Sequence, residues 1–314
     1  MIDPQVQKIL YWAQRSPGPT YPQMGVQAAR ESYARAVLTL DVAPLPMHAV
    51  HEHRLDLPGR SIGARQYVPF EHGWAHPQPA LLFFHGGGFT IGSLETHDRL
   101  CRVLAAAGRC HVYAIDYRLA PEHRFPAAAD DAFDALDWLL AQSGSLGVDT
   151  ERIAVGGDSA GGTLAAATAL HARDNGVGLA LQLLIYPGMA SRQDSESHRR
   201  LAHGHLLDAD VIQWFFDLYV RNETDRDDWR FAPLQAASVA GVAPAWIALA
   251  EYDPLVDEGL AYAQRLREAG VAVECTVFEG MIHAFFQHGG FVPAVRRAHA
   301  AAGVALRTAF RIED

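Results

Sequence analysis

From about Val50 onward, short apolar bursts alternate with longer stretches rich in alanine and leucine. The bursts are Ala80–Phe84, His111–Ile115, Arg152–Val155, Ala180–Ile185, Ala245–Ala250 and Val271–Phe278. Each has the length of a strand. The central ones are apolar throughout rather than at alternate positions, as burial on both faces requires. Helical patterns separate them at Leu100–Gly108, Asp130–Gln142, Gly162–Arg173, Tyr262–Ala269 and Ala294–Phe310. Strands alternating with helices predict crossover connections, and so an α/β fold with a mostly parallel sheet covered on both faces.

Two regions fall outside this alternation. Residues 1–45 read as amphipathic helix in pieces, broken at Ser16-Pro17-Gly18-Pro19-Thr20. The roughly sixty residues between the strand candidate ending near Tyr186 and the one starting near Ala245 contain a polar stretch, Ser191–Arg200, and an aromatic helix candidate, Val211–Val220. An insertion of that length is more often a lid or binding element than a passive loop.

Composition narrows the function. Hydrophobic residues make up 49% and charged residues 20% of the 314, the balance of an ordinary globular chain. A formal charge of −10 argues against nucleic acid or an anionic membrane surface as the main partner. No apolar run approaches the ~20 residues of a spanning helix, so no integral membrane association is expected. Cys101, Cys110 and Cys275 are odd in number and lack CxxC spacing, which excludes a disulfide scaffold and a zinc ribbon. The polar N-terminus lacks the apolar core of a signal peptide, so a cytoplasmic location is expected. The 16 histidines include a cluster at His48, His51 and His53. No second ligand group of defined spacing supports a metal there, and the cluster reads as solvated surface.

The chemistry lies in three motifs. Gly157-Asp158-Ser159-Ala160-Gly161 fits Gly-x-Ser-x-Gly, with a strand candidate before it and a helix candidate after it. A sharp strand-to-helix turn would project the Ser159 hydroxyl and place the N-terminus of a helix beside it. His85-Gly86-Gly87-Gly88-Phe89 follows the burst Ala80–Phe84. Three adjacent glycines cost backbone entropy, but they let bare N–H groups approach a substrate oxygen. A phosphate-binding glycine loop is the rival reading; it lacks both the Lys-Ser/Thr and the GxGxxG spacing. An activated serine also needs an imidazole, and the imidazole needs a carboxylate. Asp253 and His283 each follow a strand candidate, in the chain order Ser, Asp, His. Asp257 and Glu251 are the alternative acids, and His288 is the alternative base, further from its strand end.

Together these motifs resemble the hormone-sensitive-lipase-like esterases, the bacterial family IV carboxylesterases. The resemblance extends to Asp116-Tyr117-Arg118-Leu119-Ala120-Pro121-Glu122, to Asp253-Pro254-Leu255-Val256-Asp257-Glu258-Gly259 and to Gly280-Met281-Ile282-His283. The Asp158 variant of the serine motif looks like the GDSAG branch. The resemblance implies an α/β-hydrolase fold with an eight-stranded sheet. It also implies a catalytic body of residues 46–187 and 236–314 under a helical cap made from 1–45 and 188–235.

By the same carry-over, Ser159 is the nucleophile, His283 the base and Asp253 its orienter. The N–H groups of Gly87, Ala160 and one of Gly86 or Gly88 would form the oxyanion hole, with His85 holding the loop. No metal or organic cofactor is implied. The expected substrates are small esters of short to medium acyl chain. Phe89, Trp214, Phe215 and Tyr219, with Phe216 beside them, would line the substrate pocket or else pack the cap onto the body. An amidase or lactonase on the same residues, and a non-catalytic binder on the same fold, are the competing readings. The family often dimerises through an edge strand; here Val271–Phe278 would be that edge, with Val271, Val273, Cys275 and Val277 as an exposed row.

Overall fold

The computed structural model describes residues 1–15, 18–71 and 77–313. Three helices lead: α1 (Pro4–Arg15), α2 (Tyr21–Met24) and α3 (Val26–Leu40). Of the expected breaker between α1 and α2, Ser16 and Pro17 lie outside the described residues. The strands are β1 (Ala49–Leu57), β2 (Arg60–Val68), β3 (Gln78–Phe84), β4 (His111–Asp116), β5 (Val148–Asp158), β6 (Leu181–Ile185), β7 (Ala245–Tyr252) and β8 (Val273–Ile282). Between and after them run α4 (Leu94–Gly108), α5 (Ala127–Ala141), α6 (Ser143–Leu146), α7 (Ala160–Asp174), α8 (Glu196–Arg200), α9 (Ala209–Tyr219), α10 (Val256–Glu268) and α11 (Val295–Ala309).

The strands form one sheet in the order β1-β2-β4-β3-β5-β6-β7-β8. β1 and β2 are antiparallel to their neighbours, and the pairs from β4 to β8 are all parallel. This is the expected α/β architecture, with one antiparallel hairpin added at an edge. Alternate residues of β3 serve opposite faces. Leu82 and Phe84 join the core under α5, α7 and α10, whereas Leu81 and Phe83 join the core under α4 and α11. That two-sided burial explains why the β3 burst is continuous rather than alternating.

One hairpin carries no apolar signal in the sequence, and two expectations need correction. The β1–β2 hairpin has no apolar burst, because β1 is polar and largely exposed and buries only Leu55 and Leu57. In the histidine cluster, His48 and His51 are exposed, but His53 is half-buried and its Nε2 lies 2.9 Å from Gln66 Oε1. The last strand starts at Val273 and runs on to Ile282, ending directly before His283. Its row is not exposed: Val271 is buried, and Val273, Cys275 and Val277 pack on the core.

Helix α4 begins six residues before its expected start, at a capping box in which Ser93 Oγ accepts from Thr96 N–H. The N-terminal helices meet the 188–235 segment in a separate small cluster. Ala29, Val211 and Phe215 pack there with Ile91, directly after the glycine loop.

Candidate active site

The loops that carry the predicted chemistry all leave the C-terminal ends of parallel strands. At the end of β5, Ser159 adopts φ 53° and ψ −121°, a strained conformation for a residue with a side chain. The sharp turn is possible because a Cβ at Gly161 would fall on the Phe84 carbonyl oxygen. α7 starts at Ala160, so the Ala160 N–H is among the N-terminal donors that have no partner within the helix.

His283 follows β8, and Asp253 follows β7. The His283 Nδ1 lies 2.7 Å from Asp253 Oδ2, and its Nε2 lies 2.9 Å from Ser159 Oγ. A carboxylate only accepts, so Nδ1–H donates to Asp253 and Nε2 is left to accept from the serine hydroxyl. Asp253 is 1% exposed, and its other oxygen accepts from Leu255 N–H at 2.9 Å. The alternative acids are engaged elsewhere: Asp257 Oδ2 accepts from Ser197 N–H and Glu251 Oε2 from Gly280 N–H. His288 makes no hydrogen bond to Ser159.

The glycine loop faces the same serine. Gly87 has φ 117° and Gly88 φ 58°, and a Cβ on Gly88 would overlap the Phe215 ring. Gly86 cannot be an oxyanion donor, because its N–H already donates to Asp158 Oδ1 at 2.9 Å. That leaves the N–H groups of Gly87 and Gly88 beside that of Ala160.

Behind the loop lies a layer that motif reading missed. Asp158 is 2% exposed, and His97 Nε2 lies 3.1 Å from its Oδ1. His97 Nδ1 in turn meets Thr96 Oγ1 at 2.9 Å. His85 backs the loop as expected: its Nδ1 lies 2.8 Å from Gly86 O, its ring stacks on Tyr117 at 4.3 Å, and Tyr117 Oη–H donates to its carbonyl. Burial, with His97 beside it, pushes the His85 imidazole down to about 3, so it stays neutral.

Helix α3 is fastened to this loop. Arg30 donates to the carbonyls of Thr90 and Ala120 and pairs with both Glu122 carboxylate oxygens, at 2.7 and 2.9 Å. One turn on, Tyr33 Oη–H donates to Gln287 Oε1, and Gln287 Nε2 donates to Thr96 O.

A mainly apolar cavity of about 600 Å³ opens above Ser159, of the size typical for small-molecule sites. Phe89, Phe215, Phe216 and Phe231 line it. Trp214 and Tyr219, expected in the wall, are not part of it. Tyr219 is fully buried behind Phe89, stacked at 4.0 Å, and Trp214 packs half-buried against Phe215. Helical spacing put the four aromatics partly on one face; the packing of Phe89 and Phe231 decides which of them reach the cavity.

Glu258 is a buried acid in the wall, its Oε1 accepting from the N–H groups of Met189 and Ala190. Burial pushes its carboxyl up to about 8. The folded protein therefore keeps a proton that the unfolded chain releases near 4.5. This group's contribution to stability is complete below that pH and is lost as pH rises towards 8, with a limiting slope of about 1.4 kcal/mol per pH unit. Glu258→Gln keeps an acceptor for both N–H groups and removes the titration. Its melting temperature should fall less between pH 5 and pH 8 than that of the unsubstituted protein; parallel curves would contradict this.

Among the described residues, no helix is long and apolar enough to cross a membrane. Comparison with known proteins agrees with the geometry. Residues 81–287 match the family described as the alpha/beta hydrolase fold. An ethyl acetate hydrolase of Pseudomonas putida is 43% identical over 236 residues, 74% of this chain and 74% of the relative. A carboxylic ester hydrolase of Mycobacterium tuberculosis is 42% identical over 274 residues, 83% of this chain and 72% of the relative. Among solved structures, an ester hydrolase from the metagenome of Lake Arreo, complexed with a bipyridine phosphonate derivative, superimposes with a TM-score of 0.94 at 38% identity. It covers 99% of this chain and 100% of that one. Its sheet, its motifs and these relatives together place the chain in the alpha/beta hydrolases, within the hormone-sensitive-lipase-like carboxylic ester hydrolases.

Proposed function

We infer that this carboxylic ester hydrolase is a serine carboxylesterase acting on short- to medium-chain acyl esters through an acyl-enzyme intermediate. The observation that carries the reading is the continuous relay from Ser159 Oγ through His283 to the buried Asp253 carboxylate. Ser159 Oγ attacks the ester carbonyl as its proton passes to His283 Nε2. Asp253 holds the ring in the tautomer that can accept and stabilises the imidazolium that forms.

The carbonyl oxygen, now an oxyanion, takes hydrogen bonds from the N–H groups of Gly87, Gly88 and Ala160. Each such donor is worth about 3 kcal/mol in the transition state. His283 then returns the proton to the leaving alcohol. Water attacks the acyl-serine by the same route, with His283 again as base, and releases the carboxylic acid.

The N-terminal helices and the 188–235 segment act as the cap, a reading supported by the cluster they share above the glycine loop. A homodimer along β8, which among the described residues is an edge strand paired only with β7, is part of the proposal. So is a cytoplasmic location, in keeping with three free cysteine thiols.

The test is a series of p-nitrophenyl acyl esters. Each methylene buried in the cavity adds about 0.8 kcal/mol, so kcat/KM should rise roughly fourfold per carbon at first and then fall once the chain outgrows the site. A continued rise into long acyl chains would contradict the short- to medium-chain assignment, and no turnover of any ester would contradict the activity.

A further inference from the structure

His288 is a buried imidazole that the reaction above leaves unused. It lies at the end of a short 3-10 turn, Phe285–His288, that follows His283, and it lines the same cavity. The residue is 5% exposed. Its Nδ1 is fully buried without a partner, and neither ring nitrogen has a hydrogen-bond partner among the described residues. Burial, with His283 nearby, pushes the imidazole down to about 4. The ring is therefore neutral at physiological pH, with one nitrogen that donates and one that accepts.

An unpaired polar ring in an apolar wall works against stability, and a leucine would fill the space without that penalty. Its neighbour Gln287 is already satisfied, by Tyr33 and by the Thr96 carbonyl.

The position of His288 indicates which part of a substrate it meets. His283 must reach the leaving oxygen to protonate it, so the alcohol half of the ester lies on the His283 side of the cavity. Ala284, Gln287 and His288, which follow His283 in the chain, line the cavity with it, as do Leu40 of α3 and Trp12 of α1. The turn is held against α3 by the Gly290 N–H, which donates to Leu40 O, and against α1 by Trp12, whose ring packs 5.0 Å from Phe291.

We propose that His288 is a specificity-determining residue that hydrogen-bonds a hydroxyl on the alcohol half of the substrate, so that the preferred esters are those of diols or other polyols. A hydroxyl both donates and accepts, which matches a neutral imidazole. A carboxylate would find no positive charge there. The proposal rests on the carboxylesterase reading and narrows its substrate class.

The experiment compares 2-hydroxyethyl butanoate with propyl butanoate, two esters of the same acyl group and nearly the same length. The unsubstituted enzyme should give the hydroxy ester a kcat/KM equal to or above that of the propyl ester. A lower value is what an apolar pocket would produce, and it would overturn the proposal without needing any variant. In His288→Leu the ratio of the two values should drop roughly tenfold, mainly through KM, with propyl butanoate little changed. His288→Gln, which places an amide donor and acceptor near the position of Nε2, the ring nitrogen not sealed in the wall, should recover part of the ratio. Equal losses on both esters would mark His288 as merely structural. Failure of the enzyme to hydrolyse even propyl butanoate would instead count against the carboxylesterase reading itself.

Discussion

Ser159→Ala should abolish ester hydrolysis while leaving the fold in place. The expected loss in kcat for p-nitrophenyl butanoate is about 10⁴- to 10⁶-fold, the range over which removal of a serine nucleophile acts when the oxyanion donors remain. The fold should survive because the serine hydroxyl bonds only His283 among the described residues, and the turn is shaped by backbone. Alanine tolerates the same φ no better and no worse than serine. Circular dichroism and the melting temperature should therefore match those of the unsubstituted protein. Hydrolysis at an undiminished rate would remove Ser159 from the mechanism.

The second large effect separates three neighbouring acids. Asp253→Asn preserves size but can present an N–H to His283 Nδ1, which favours the wrong tautomer; kcat should fall about 10⁴-fold. Asp257→Asn and Glu251→Gln should leave kcat nearly unchanged. Their carboxylates accept from the backbone N–H groups of Ser197 and Gly280, and the amides keep an acceptor for each, so stability should change by less than about 1 kcal/mol. A large loss of kcat in Asp257→Asn, with little in Asp253→Asn, would reverse the assignment of the acid.

What the sequence made legible follows from where the physics is local. The bursts that became β3 to β7 are buried on both faces, and such strands announce themselves by unbroken hydrophobicity. The serine turn and the glycine loop were legible because close backbone approach requires glycine at fixed spacings. β1 was not legible, since an exposed edge strand carrying histidine, glutamate and arginine lacks both signals. The His97–Asp158 pair was hidden for another reason. His97 lies in the polar first turns of α4, where nothing local distinguishes a buried partner from a solvated one. Gly86 shows the same limit from the other side: three glycines in a row look equivalent, and only the Asp158 carboxylate reveals which N–H is already taken.

The tether between α3 and the glycine loop bears on how such an enzyme can be altered. Arg30 grips the loop's far end, while Tyr33 reaches Gln287, Thr96, His97 and Asp158 in succession, arriving at Gly86 from below. The two residues are three apart and share one helix face, so a single shift of that helix pulls on the loop from two directions. Grafting the first forty residues from a relative would then be no simple exchange of a selectivity filter. The graft would also retune the donors that meet the developing charge. Substrate range and turnover rate would change together, and libraries that vary α3 should be screened for both.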